Sequence, residues 1–172
     1  MRELILGGAC SGKSDLAQQR AEQSGLRVTY IATAQPLDEE MAARIARHRQ
    51  ARPTCWSLVE TPLTLALALR DNAAADRCLL VDCLTLWLTN LLAEGEEHLE
   101  REQQALLTIL PTLPGYIILV SNEVGQGIVP TNPLARRFRD EAGRLHQQVA
   151  RLCDRVTLTV AGLPLPLKDN AG

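Results

Sequence analysis

The stretch Leu4-Ile5-Leu6-Gly7-Gly8-Ala9-Cys10-Ser11-Gly12-Lys13-Ser14 decides the fold. Its last eight residues follow the pattern G-x-x-x-x-G-K-[ST], set between an apolar run and a helical pattern that begins near Asp15. Strand, glycine-rich loop and helix in this order make a phosphate-binding P-loop. Gly7, Gly8 and Gly12 permit backbone angles that turn several N–H groups inward around a phosphate. The helix that follows adds the positive end of its dipole. Lys13 reaches for the terminal phosphates, and the Ser14 hydroxyl helps to hold Mg²⁺. The run Gly7, Gly8, Ala9, Cys10, Ser11, Gly12, Lys13 and Ser14 is thus the candidate nucleotide-binding loop. A glycine-rich turn that binds nothing is the competing reading, and the lysine and serine at their fixed places weigh against it.

Outward from this loop, β-rich runs alternate with helical ones. Strands are expected at residues 3–7, 27–32, 57–60, 78–82, 116–121 and 155–161, with an edge segment at 163–167. Helices are expected at 14–24, from about 38 to 49, after Pro62, at 85–94, at 96–110, and from Pro133 to about Cys153. The expected architecture is a single α/β domain over residues 1–172, with a mostly parallel sheet covered by helices on both faces. In such a sheet the ligand sits beyond the C-terminal ends of the strands. Ala32-Thr33-Ala34, small residues at one such end, are candidates for that reason. Asp82, closing the buried-type strand Cys78-Leu79-Leu80-Val81, has the form of a Walker B aspartate that organises Mg²⁺ opposite the P-loop. Asn122-Glu123-Val124-Gly125-Gln126-Gly127 forms a polar, glycine-bearing loop at another strand end, either a second part of the site or a solvated turn.

Composition narrows the classes. At 172 residues, 46% hydrophobic and 22% charged, the chain has the length and character of one well-buried globular core. A net charge of −2 offers no electrostatic case for a nucleic-acid or anionic-membrane partner. No signal-peptide pattern or bilayer-length apolar run is present, so a cytoplasmic enzyme is expected. The five cysteines lack metal spacing and are odd in number, which points to reduced thiols, with Cys78 and Cys83 in the core.

The second piece of chemistry centres on His48. Arg44, Arg47 and Arg49 lie within a turn of it, and Arg52 follows. A lone helical histidine is more often structural than catalytic. The arginines nevertheless suggest a mechanism. Their charge disfavours the imidazolium and keeps the ring neutral and nucleophilic. They also suit a triphosphate whose pyrophosphate is leaving. A histidine that attacks an α-phosphate forms a covalent phosphoramidate, which is nucleotidyl transfer.

With these residues in view, the chain resembles the bifunctional adenosylcobinamide kinase / adenosylcobinamide-phosphate guanylyltransferase family of cobalamin biosynthesis. The resemblance rests on Gly7–Ser14, Tyr30-Ile31-Ala32-Thr33-Ala34, the run from Asp38 to Ile45, His48, Arg52-Pro53 and Thr89-Asn90-Leu91-Leu92. It continues through Asn122–Pro130 and Arg137-Phe138-Arg139-Asp140-Glu141-Ala142-Gly143-Arg144. It implies a RecA-like fold and two reactions. ATP or GTP phosphorylates the aminopropanol hydroxyl of adenosylcobinamide, and GMP is then transferred from GTP through a guanylylated histidine to give adenosyl-GDP-cobinamide. The resemblance places the guanylylated histidine on His48. It places nucleotide contacts on residues 7–14, Ala32, Thr33, Ala34, Arg49, Gln50, Ala51, Arg52, Glu60 and Asp82. A carboxylate such as Glu60 suits the N1–H and amino group of guanine. The resemblance also implies a homotrimer. This chain departs from the family pattern with Cys10 where arginine is expected and His146 where asparagine is expected. Two other readings stay open from the residues alone: a P-loop kinase for another small molecule with a structural His48, and a non-catalytic nucleotide-dependent switch.

Overall fold

Four apolar runs buried on both faces become the inner parallel strands of one sheet, as continuous hydrophobic strands do when helices cover both faces, while a shorter, largely exposed run forms its parallel edge. The computed structural model describes residues 1–36, 38–50 and 53–170; the side chains of Met41, Arg44 and residues 47–50 are not among those described. The strands are β1 (Arg2–Gly7), β2 (Arg27–Ala32), β3 (Ser57–Glu60), β4 (Arg77–Asp82), β5 (Tyr116–Asn122), β6 (Arg155–Val160) and β7 (Leu163–Asp169). Their order across the sheet is β3-β2-β4-β5-β1-β6-β7, parallel except for the antiparallel edge pair β6–β7. The edge position of β7 accommodates Pro164 and Pro166, which a central ladder would exclude.

The helices are α1 (Lys13–Gln23), α2 (Glu39–Gln50), α3 (Leu65–Asn72), α4 (Leu84–Glu94), α5 (Glu96–Ile109) and α6 (Pro133–Leu152), with a short 3-10 turn at Leu110–Thr112. Alternation along β4 and β5 divides the core. Leu79, Val81, Ile117 and Leu119 pack with Trp87, Leu88, Leu106 and Leu145 on the face covered by α3 to α6. Cys78, Leu80, Ile118 and Val120 pack with Ala17 and Ala21 of α1 on the other. Gly25, with φ of +66°, turns the chain out of α1, and its N–H donates to the Glu22 carbonyl at 3.2 Å. Asn132 caps α6, its Oδ1 accepting from the Ala135 N–H at 3.1 Å, with Pro133 at the first helical position.

One boundary differs from the sequence reading. Pro62 does not open α3, which begins at Leu65 after Thr64. The carbonyls of Pro62 and Leu63 instead accept from Asn90 Nδ2 (2.9 Å) and Trp87 Nε1 (2.7 Å) of α4, which hold the segment outside the helix.

The far end of the sheet carries a buried carboxylate that periodicity does not announce. Glu3 in β1 has no exposed surface, and its oxygens meet Tyr116 Oη, Thr157 Oγ1 and the guanidiniums of Arg20 and Arg155. A charge so buried requires such partners.

Candidate active site

Register brings the candidates together. Ala32 stands opposite Glu60 of β3 on one side and Asp82 of β4 on the other. Asp82 stands opposite Val120 of β5, and Gly7 of β1 lies between Asn122 of β5 and Thr159 of β6. Glu60, Ala32, Asp82 and the start of the loop therefore occupy one C-terminal edge of the sheet, where α/β folds bind ligands.

The loop has the shape its glycines foretell, though each contributes differently. Gly12 caps α1 with φ of +88°, and a Cβ there would lie 3.1 Å from the Gly162 Cα. At Gly7 a Cβ would collide with the Ser11 hydroxyl and stand 2.8 Å from the Thr159 carbonyl. Gly8 meets nothing within 4 Å, leaving its side of the loop open. Cys10 adopts a left-handed φ of +54°, unusual for a residue with a Cβ and consistent with a loop whose N–H groups converge. Lys13 begins α1 and folds its ammonium over the loop, donating to the Gly8 carbonyl at 3.0 Å. Ser14 is the second residue of that helix.

Opposite the loop, Asp82 Oδ2 accepts from Tyr30 Oη at 2.9 Å, which fixes the carboxylate at its strand end. Ser14 and Asp82 offer only oxygen donors. That set fits Mg²⁺, which takes one or two protein oxygens and fills its octahedron with water and phosphate.

Thr33 ties the edge together. Its hydroxyl donates to the Cys83 carbonyl at 2.8 Å and accepts from the Cys83 N–H at 3.0 Å. Asn90, buried in α4, donates through Nδ2 to the carbonyls of Thr33 (2.8 Å) and Pro62 (2.9 Å). Thr33 is fully buried and holds the strand end in place, while Ala32 and Ala34 on either side stay partly exposed. Burial pushes the thiols of Cys78 and Cys83 up to about 11 and that of Cys153 up to about 12, which keeps them protonated as core residues. All five cysteines are unpaired.

His48 lies on the last turn of α2, with Arg47, Arg49 and Gln50 beside it in the helix. The side chains of these four lie outside the described residues, as do Ala51 and Arg52 entirely. Glu60 ends β3 with its side chain exposed.

Several site residues were not singled out by type or spacing. Tyr30, which orients Asp82, reads as one more strand residue. Thr85 accepts from Asn122 Nδ2 at 3.1 Å and joins α4 to the end of β5. Asn90, an amide on the buried face of α4, entered the sequence reading only through the family resemblance, as Tyr30 did.

A strand-loop-helix cradle, a strand-end aspartate across from it and a parallel sheet define a P-loop nucleotide-binding protein of the α/β class. Two solved structures share the fold: the RadB recombinase (TM-score 0.51, 20% identity, 91% of this chain and 73% of that one) and a Pyrococcus horikoshii protein (0.55, 8%, 98% and 86%). A family model described as cobinamide kinase / cobinamide phosphate guanyltransferase matches residues 3–167. The chain belongs to that family. It is 62% identical over 171 residues, 99% of both chains, to the bifunctional adenosylcobalamin biosynthesis protein CobP of Pseudomonas aeruginosa. It is 40% identical over 182 residues to the CobU protein of the same description from Salmonella typhimurium, covering 98% of this chain and 100% of that one.

Proposed function

We propose that this protein phosphorylates adenosylcobinamide with ATP or GTP and then transfers GMP from GTP to the resulting phosphate through His48, giving adenosyl-GDP-cobinamide and pyrophosphate. The observation that carries this reading is the full-length likeness to bifunctional relatives, combined with a P-loop and Asp82 on one sheet edge.

In the kinase step the N–H groups of residues 7–14 bind the β- and γ-phosphates, and Lys13 leaves its Gly8 acceptor to neutralise the charge that develops on the transferred group. Ser14 and Asp82 are the residues to hold Mg²⁺, which supplies charge neutralisation between the phosphates. In the second step a neutral His48 attacks the α-phosphorus of GTP. A nitrogen–phosphorus bond forms, pyrophosphate leaves with the electron pair of the broken phosphoanhydride bond, and the cobinamide phosphate oxygen then displaces the histidine. Arg49, Gln50, Ala51 and Arg52 are assigned the triphosphate in this reading, from the family resemblance. Glu60 reads guanine, with Ala32 and Ala34 against the nucleotide. Among the described residues no helix is long and apolar enough to cross a membrane. A cytoplasmic homotrimer completes the reading.

The test is to supply adenosylcobinamide with ATP and Mg²⁺, then GTP, and resolve the corrinoids. A phosphorylated product followed by the GDP derivative is expected, with both lost in Lys13→Ala. Nucleotide binding without any corrinoid product would refute the reading.

A further inference from the structure

Three carboxylates stand at the C-terminal edge of the sheet: Glu60 at the end of β3, Asp82 at the end of β4, and Glu123 just past β5. Strands lie about 4.8 Å apart. By strand order Glu60 is four strands from the P-loop strand, about 19 Å, and Asp82 is two strands away, about 10 Å. Glu123 comes from the strand immediately beside it. Its backbone N–H donates to the Gly7 carbonyl at 2.9 Å, which locks it to the first residue of the phosphate loop.

The Glu123 side chain is held but not consumed. Oε1 accepts from the Gly125 N–H at 2.5 Å. Oε2 stands 3.9 Å from His146 Nδ1, beyond hydrogen-bond distance, and accepts no hydrogen bond among the described residues. His146 is itself fixed from behind, its Nε2 lying 2.7 Å from the hydroxyl of the fully buried Ser121. Burial holds the imidazole below its ordinary pKa, so a neutral ring backs the carboxylate. The Glu123 side chain keeps 22% of its surface open. The chain beyond it exposes apolar side chains: Val124, Val129 and Leu134 are open to solvent, and Ile128 is 98% exposed. An acceptor as large as cobinamide, with a macrocycle edged by methyl groups, suits such a surface.

We propose that Glu123 to Leu134 is the acceptor side of the phosphoryl-transfer site, and that Glu123 takes the proton from the attacking hydroxyl. This rests on the kinase reading above. The balance is simple. The cobinamide oxygen forms a bond to the γ-phosphorus, the bond from that phosphorus to the β,γ-bridging oxygen breaks, and the electron pair leaves on the nucleoside diphosphate. The hydroxyl proton passes to Glu123 Oε2 and then to water. The carboxylate on the strand beside the P-loop strand thereby acquires a role that Asp82, paired with Tyr30, and the distant Glu60 leave unfilled.

The experiment uses the full chain with ATP, Mg²⁺ and adenosylcobinamide, comparing wild type with Glu123→Gln, which retains the acceptor for Gly125 N–H. A fall in kcat for phosphorylation of about 10²- to 10⁴-fold is expected, with GTP-dependent labelling of the protein proceeding as in wild type. A kcat within about fivefold of wild type would overturn the assignment. A wild-type protein that makes no cobinamide phosphate would instead sink the kinase reading, so the two failures are separable. Ile128→Ser tests the surface: KM for adenosylcobinamide should rise at least threefold with KM for ATP unchanged, and an unchanged corrinoid KM would remove the loop from the acceptor site.

Discussion

The N–H of Gly162, in the turn between β6 and β7, donates to the carbonyl of Ser11 in the phosphate loop at 2.9 Å. A hairpin from the end of the chain thus holds a loop at its beginning. The turn is tight, with φ of +52° at Ala161 and +79° at Gly162. It sits so close to the loop that a Cβ on Gly12 would come within 3.1 Å of the Gly162 Cα. The antiparallel edge pair therefore positions the nucleotide cradle.

This contact separates the loop glycines. Gly12→Ala forces a Cβ into a left-handed residue against Gly162 and should destabilise the fold by about 1–2 kcal/mol. Gly8→Ala meets nothing and should change stability by no more than about 0.5 kcal/mol. Urea unfolding of the two variants checks the difference. Equal losses would show that the turn does not constrain the loop.

Asn90 is a second tie. Replacing it with alanine strips the donor from the Thr33 and Pro62 carbonyls at a buried junction, at a cost of about 2 kcal/mol. The same change loosens Ala32 and Ala34 through Thr33, so nucleotide affinity should fall along with the unfolding midpoint. Unchanged stability would mean that water replaces the amide.

How legible all this was depended on the kind of signal. Strand and helix positions stood out because Leu4-Ile5-Leu6 and Tyr116 to Val120 are continuous apolar runs that only a doubly covered sheet can bury. The P-loop stood out because its chemistry dictates its residue types. Contacts between distant segments left no comparable pattern. Nothing local ties Tyr30 to Asp82, Ser121 to His146 or Gly162 to Ser11; register and turn geometry create those pairs only once the sheet has formed. Pro62 misled for a related reason, since α4 captures its carbonyl.

His146 makes stability pH-dependent. Burial, opposed by the nearby Glu123 carboxylate, lowers its pKa from the usual 6.5. The unfolded chain therefore binds a proton that the folded chain resists. Stability is complete above about pH 6.5 and is lost as pH falls from there toward the lower folded value. Compared with wild type, His146→Gln should show a flatter dependence between pH 8 and pH 5 in urea titrations. A variant as steep as wild type would assign the loss to other groups.

The measurement that bears most directly on the central claim is the mass of the intact protein after incubation with GTP and Mg²⁺, taken in alkaline conditions where a phosphoramidate survives. The account predicts a gain of one GMP, lost in acid and absent from His48→Ala. A protein that binds GTP yet gains no mass, or one that gains it equally without His48, would contradict guanylyl transfer through this histidine.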